Sequence, residues 1–288
     1  PGSGSLKPDT NAIHNGANDN ASGTAGLLEL AHKLQNNRQL LKRSILLIGF
    51  DAEEKGLLGS KYFIQNPTVE KHNIVTMINM DMIGKMKDST VIIGGVGTSP
   101  IFEKILDSLS KDSGLKFEYN QAGYGPSDHA SFYSENIPVL FFFTGDYNNH
   151  YHLPEDDWQS INLKGERQIL NVIHNTVINL SRQDSKPSFT LAGPKKQQTQ
   201  RNNNKVKLGI IPYYGATIDG LKIDKIYDPN GPAAKAGIRA GDIIKSINKK
   251  PVKDIYEYMK RIEGLKKGQN VPVDIKRDGK IIMLTVRF

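Results

Sequence analysis

Over the first 183 residues, apolar runs of strand length alternate with stretches whose apolar residues recur at helical spacing, and this alternation restricts the fold more than any other feature of the chain. "SILLIGF" (44–50), "NIVTMINMDMI" (73–83), "STVIIGG" (89–95) and "IPVLFFFTG" (137–145) read as strands. "SGTAGLLELAHKLQNN" (22–37) reads as a helix, with Ser22 as N-cap and Leu27, Leu30, Ala31 and Leu34 on one face, and 99–113 and 163–182 read likewise. Strands interleaved with helices predict an α/β domain with a mostly parallel mixed sheet flanked by helices. Such sheets place their chemistry at the C-terminal ends of the strands.

Between Arg182 and Lys205 the periodicity stops and Gln, Asn, Lys and Pro take over, the composition of a connector. The expected organisation is a first domain over 1–183, a flexible linker over 184–206 and a small β-rich domain over 207–288. In that last part "PAAKAGI" reads as a short helix ended by Gly237, "IYEYMKRI" as a helix, and "RDG" as a tight turn between two strands. A hydrophobic fraction of 38% in 288 residues suffices for more than one core. No apolar run approaches the roughly 18 residues needed to cross a bilayer, so no membrane span is expected. The start "PGSGSLKPDTN" has neither the basic nor the apolar region of an export signal. Residues 207–288 carry 17 basic and 9 acidic side chains, but these are scattered among strand and turn signals without a nucleic-acid motif, so they read as solvated surface and no nucleic-acid partner is expected.

The absence of cysteine excludes thiolate metal sites and leaves His, Asp and Glu as ligands. Such groups stand at the strand ends: Asp19 in "NGANDNASG", Glu53 and Glu54 after "SILLIGF", Asp81 in "MINMD", and His152 in "NHYHLPEDDW". Each has an ordinary reading. Asp19 suits a cap or an Asx-turn, the two glutamates a solvated helix start, Asp81 a turn, and a lone His a structural role. Taken together, carboxylates and an imidazole on converging loops match the donor preference of zinc.

"NGANDNASGTAGLLELA", "AEEKGLLGS", "NMDMIG", "GYGPSDHASF" and "YHLPEDD", in this order, resemble the co-catalytic di-zinc aminopeptidases of metallopeptidase family twenty-eight. The resemblance covers roughly residues 1–182. It implies that Asp19 bridges two zinc ions, that Glu54 and His152 complete the first and Asp81 binds the second, that Glu53 is the general base, and that Tyr124 helps the tetrahedral intermediate. Asp128 and His129 would support the site without binding zinc. Zinc lowers the pKa of a bound water to about 7, so a weak base suffices, and neighbouring residues at a strand end point in different directions, which lets Glu54 hold metal while Glu53 moves the proton. His14 and His150 are read as loop and surface residues, and Met82, Tyr124 and the "FFF" run containing Phe142 as a pocket for the substrate's first side chain.

Residues 207–288, through "GPAAKAGIRAGDIIKSINKKPV", resemble a PDZ domain of bacterial proteases. By that resemblance Leu208, Gly209, Ile210 and Ile211 would offer backbone N–H groups to a peptide C-terminus. The expectation is a zinc-dependent aminopeptidase acting on peptides with a free N-terminus, carrying a PDZ domain for a peptide or protein partner. The alternatives are a single-zinc glutaminyl cyclase-like acyltransferase and an inert peptide-binding protein. The family's upstream "H-x-D" zinc ligand has no counterpart before Asp19, so the chain reads as N-terminally truncated: two zinc ions in an intact enzyme, one in this chain. A periplasmic or secreted location follows from the resemblance alone.

Overall fold

The computed structural model describes residues 5–7, 10–145, 150–195, 206–213, 215 and 219–288. It divides into two compact units, Pro1–Lys196 and Gln197–Phe288. In the first, four strands form a mixed sheet in the order β1 (Met77–Met80), β4 (Val139–Phe143), β2 (Thr90–Gly94), β3 (Lys116–Tyr119). β1 runs parallel to β4 and β2 parallel to β3, while β2 and β4 are antiparallel.

The central strand shows why its sequence is apolar throughout. Leu140 and Phe142 point into a core built with Leu30 and Leu34 of α1 (Gly23–Asn36), Phe102 and Leu106 of α3 (Pro100–Ser113), and Ile169 and Ile173 of α5 (Leu163–Ser181). Val139 joins a second cluster, with Phe63 and Ile64 of α2 (Leu58–Gln65) and Phe132 and Tyr133 of α4 (His129–Tyr133). A strand covered on both faces has no polar positions to alternate with. Phe142 is wholly buried in the first of these cores, so it is a packing residue and not the pocket wall expected from the sequence.

The run 44–50 departs from expectation. It makes no ladder, with Ile45, Leu46 and Leu47 exposed while Ile48 and Phe50 pack on the second cluster. Its side-chain pattern is that of a strand, but a strand exists only through hydrogen bonds to a neighbour, and none of the described residues supplies one. The expected linker departs too. Residues 186–195 lie along the first unit through backbone hydrogen bonds from Thr190 to Thr98 and from Gly123 to Ala192, and 196–205 fall outside the described residues.

The second unit is a β-rich fold around its own core of Leu208, Ile223, Ile244, Ile247, Val271, Val273 and Ile275. Its sheet runs β10 (Lys280–Arg287), β9 (Asn270–Arg277), β7 (Ile243–Ile247), β6 (Leu221–Ile226), β5 (Ile210–Pro212), with β8 (Lys250–Pro251) on β7. α6 (Pro232–Lys235) is followed by Gly237 at φ 78, and Asp254 caps α7 (Ile255–Glu263) by accepting from Glu257 N–H at 2.8 Å. Asp278 and Gly279 turn β9 into β10 with φ of 49° and 80°.

Candidate metal centre

Asp19 sits in an irregular turn, Ala17–Ser22, that leads into α1. The polar residues around it tie that turn to the end of β1. Asn20 donates from Nδ2 to Met80 O (2.9 Å), and its Oδ1 accepts from Gly23 N–H (3.0 Å) and Met82 N–H (3.2 Å). Asn18 Oδ1 accepts from Gly84 N–H (2.9 Å). The Ser22 hydroxyl donates to Asn18 O (2.8 Å) and accepts from Ile83 N–H (3.1 Å), so Ser22 holds the turn to the strand end and makes no capping bond to α1. The Asp19–Asn20 peptide is cis.

A second hold comes from the loop that carries His152. Asp156 Oδ2 accepts from both Asn18 N–H and Asp19 N–H at 3.0 Å, and Ala17 N–H donates to Asp156 O at 3.0 Å. The other carboxylate oxygen, Oδ1, takes the Lys85 ammonium at 2.8 Å, with both side chains almost entirely out of water. Turn, strand end and His152 loop thus meet at one buried ion pair.

Glu54 arrives on a short 3-10 turn, Glu53–Lys55, that follows the apolar run 44–50. His152 Nε2 lies 2.9 Å from Glu54 Oε1 and 3.1 Å from Asp19 Oδ2, and one donor atom from each of the three residues falls within 4.8 Å of the others. Burial pushes the Asp19 carboxyl above its ordinary value, and the Glu54 charge adds to this although His152 opposes it. The hydrogen bond with His152 holds Glu54 low. For His152 burial disfavours the charged ring, yet its bonds to the two carboxylates raise it to about 10. The loops are bent to reach this arrangement: Ala52, Met82 and His152 all adopt left-handed backbone near φ 54°, a conformation that costs non-glycine residues about 1–2 kcal/mol each.

Around this trio lie further carboxyls. Burial raises Glu53 to about 8, helped by the charges of Asp81, Glu54, Asp128 and Asp19. Burial likewise raises Asp81 to about 7, the nearby Asp19 adding and a hydrogen bond from Ser127 opposing. Asp81 Oδ1 and Asp128 Oδ1 are buried with no hydrogen-bond partner. His129, fully buried and stacked on Phe141 at 4.4 Å, is pushed down to about 3 by desolvation.

Two carboxylates and an imidazole converging at the strand ends are a donor set zinc accepts, and the orphaned Asp81 oxygen beside them fits a missing cationic neighbour, so the residues fit the metal. The model for peptidase family M28 matches residues 8–177, more than half of the chain. The chain belongs to peptidase family M28. Leupeptin-inactivating enzyme 1 of Streptomyces exfoliatus is 35% identical over 131 residues, which cover 45% of this chain and 29% of that protein. Aminopeptidase YwaD of Bacillus subtilis is 30% identical over 190 residues, 60% of this chain and 39% of the relative. The solved LapA aminopeptidase of Legionella pneumophila superposes with a TM-score of 0.52 at 28% identity, covering 59% of this chain and 48% of that one. This M28 chain spans less than two fifths of the length of these curated relatives. A PDZ model matches residues 197–288, so the second unit is a PDZ domain.

Of the residues read from the sequence, Asp19, Glu54 and His152 come together, and Asp81 lies beside them but outside the converging trio. His14 hydrogen-bonds to Ser5 Oγ (2.8 Å) and is not one of the converging trio, and His150 is half-buried. Tyr124 is half-buried against the second cluster, and Met82 is buried, its N–H bound to Asn20. In the PDZ unit β5 is an edge strand, as a strand-adding ligand requires, but Leu208 and Ile210 turn their side chains into the core. Leu208 and Gly209 also use their carbonyls internally, towards Ala233 and Tyr227. Lys85 and Asp156 were not singled out by the sequence reading. The signal available was a lysine four residues beyond Asp81 and an acidic residue four beyond His152.

Proposed function

We propose that this M28 chain is an aminopeptidase that hydrolyses the first peptide bond of peptides with a free amino terminus and holds one zinc ion tightly through Asp19, Glu54 and His152. The observation that carries this is the convergence of those three donor atoms within 4.8 Å of one another. Zinc held there would supply Lewis acidity, polarising a carbonyl and acidifying water. Burial and the neighbouring carboxyls raise Glu53, and the charge of a zinc ion held beside it would draw it back towards the ionised form, which accepts a proton from water and returns it to a leaving amine. The surrounding carboxyls of Asp19, Asp81 and Asp128 give the site the sign that attracts an ammonium group, which favours a free N-terminus. The Tyr124 phenol is assigned to the oxyanion of the intermediate, and the open edge of β5 to a peptide partner.

The test is release of a free amino acid from short peptides by the zinc-loaded full chain, with loss of release on chelation. Glu53→Gln should keep the metal and lower kcat by about 10² to 10⁴, the usual worth of positioned proton transfer. Glu54→Gln should weaken metal binding itself. Equal metal loss in the two variants would contradict their separate roles, and a folded, loaded chain that releases nothing, or that yields a pyroglutamyl peptide, would refute the peptidase reading.

A further inference from the structure

Beyond α5 the chain does not leave the first unit at once. Phe189 tilts against the ring of Tyr133 with centroids 5.6 Å apart, and the Lys195 ammonium lies 5.6 Å over the Phe189 ring. Thr190 N–H donates to Thr98 O (2.8 Å). Ala192 N–H donates to the Tyr133 hydroxyl (2.9 Å), which in turn donates to Gly193 O (2.7 Å). Tyr133 has no exposed surface, so its hydroxyl has been taken out of water to make these two bonds.

The same stretch reaches the loop between β3 and α4. Ala192 O accepts from Gly123 N–H (2.9 Å), and Gly123 immediately precedes Tyr124. A Cβ at Gly123 would fall 2.3 Å from Tyr133 Cδ2, so the loop backbone rests directly on the ring whose hydroxyl holds the strap. At its far end the loop is fixed by Ser127, which accepts from Asn79 Nδ2 (2.7 Å) and hydrogen-bonds to the Asp81 carboxyl. Tyr124 lies between these two anchors, one of which is the strap.

We propose that residues 189–193 form a positioning strap that fixes the Tyr124 loop through Tyr133 and Gly123, making the segment leading to the PDZ domain a working part of the peptidase site. The inference rests on the reading of Tyr124 and Asp81 as members of that site. The strap residues act through the loop and touch no reacting atom. The strap adds to the backbone bonds that residues 120–122 make with Ile93, Gly95, Val96 and Gly97, and its bond from Gly123 to Ala192 is the one next to Tyr124, so losing it lets the loop open locally long before the domain unfolds. Misplacing a group by about 1 Å near the chemistry can lower a rate 10²-fold, so a loosened loop affects turnover more than substrate affinity.

The experiment uses the full chain with Tyr133→Phe, which keeps the ring and removes the hydroxyl, with Phe189→Ala, and with Phe189→Tyr as the conservative control. Amide hydrogen exchange is followed over residues 120–127, with β4 and α5 as internal references, alongside kcat, KM and zinc content. The expected result is exchange at least tenfold faster over 120–127 in the first two variants, references unchanged, kcat severalfold lower at constant KM and zinc content, and wild-type behaviour for Phe189→Tyr. Unchanged exchange over 120–127 would overturn the proposal, as would a rise shared by β4 and α5, which marks general destabilisation. Faster loop exchange with an unaltered kcat in an active enzyme would overturn the strap's part in turnover. Phe189 is half-buried, so its variant carries the test should Tyr133→Phe fail to fold. If the wild-type chain hydrolyses no peptide, the aminopeptidase reading fails, while the exchange result still decides whether the strap holds the loop.

Discussion

Lys85 and Asp156 place Asp19 without being donors to the metal centre themselves. Their side chains are about 2% and 3% exposed, and the carboxylate that neutralises the lysine also anchors the Asn18 and Asp19 amides. Removing one member of such a pair leaves a buried charge uncompensated, so Lys85→Met should cost about 3–5 kcal/mol, read as a lower urea midpoint, whereas Lys85→Met with Asp156→Asn should recover much of that loss. His129 gives a pH effect of definite sign. The folded protein keeps it neutral down to about 3, while in the unfolded chain it takes a proton below about 6.5. Stability is therefore unaffected by His129 above pH 6.5 and falls as pH drops from there towards 3, at up to about 1.4 kcal/mol per pH unit. His129→Gln should flatten that part of a denaturation-against-pH curve relative to wild type. An equal slope in both proteins would mean that the buried carboxyls alone set the acid limit. At this scale the sequence was informative about chemistry and silent about support: the motifs that resemble a known family marked Asp19, Glu54 and His152, but a lysine and an aspartate 71 positions apart declare no partnership until the fold joins them.

α1 begins where the Asp19 turn meets β1, and the junction leaves no room. A Cβ on Gly23 would lie 2.4 Å from Met80 O and 2.5 Å from Asn20 Oδ1, the atoms that lock the turn to the strand. Gly23→Ala should force the helix start away from the strand, lowering stability by about 1–3 kcal/mol and weakening zinc binding together, measurable by thermal melting and metal competition. A variant that melts lower yet binds zinc as wild type would uncouple the helix start from the site. Helices with clean periodicity, 22–37, 99–113 and 163–182, were legible because one face of each is buried against the sheet. Strand status was less so. The run 44–50 is apolar enough for a strand but has no described partner, and β3, only four residues long with one exposed and three half-buried side chains, gave no pattern to read. Apolarity records a tendency to be covered, while both covering and pairing depend on what lies beside the segment.

Two units with separate cores predict that neither needs the other to fold. Residues 206–288 alone should melt in one cooperative transition, since Leu208, Ile223, Ile244 and Val273 belong to a core built from residues of that unit. A broad, non-cooperative melt of that fragment would show that its core is incomplete. The division was readable from the loss of apolar periodicity after Arg182, but polar composition gave no hint that Phe189 and Ala192 stay bound to the first unit, because two backbone bonds and one ring leave no periodic trace. The converging donors are also far apart along the chain, 98 positions between Glu54 and His152, with Asp156 reaching back 138 to Asn18. Contacts at such separation form only after the intervening strands and helices have closed their loops. During synthesis the carboxylates emerge well before the imidazole, and a chain halted short of residue 152 would offer a loose acidic surface with no selectivity among divalent ions. On the proposed reading, metal capture would be a finishing event, one that reports a completed first unit and then holds it closed by mass action.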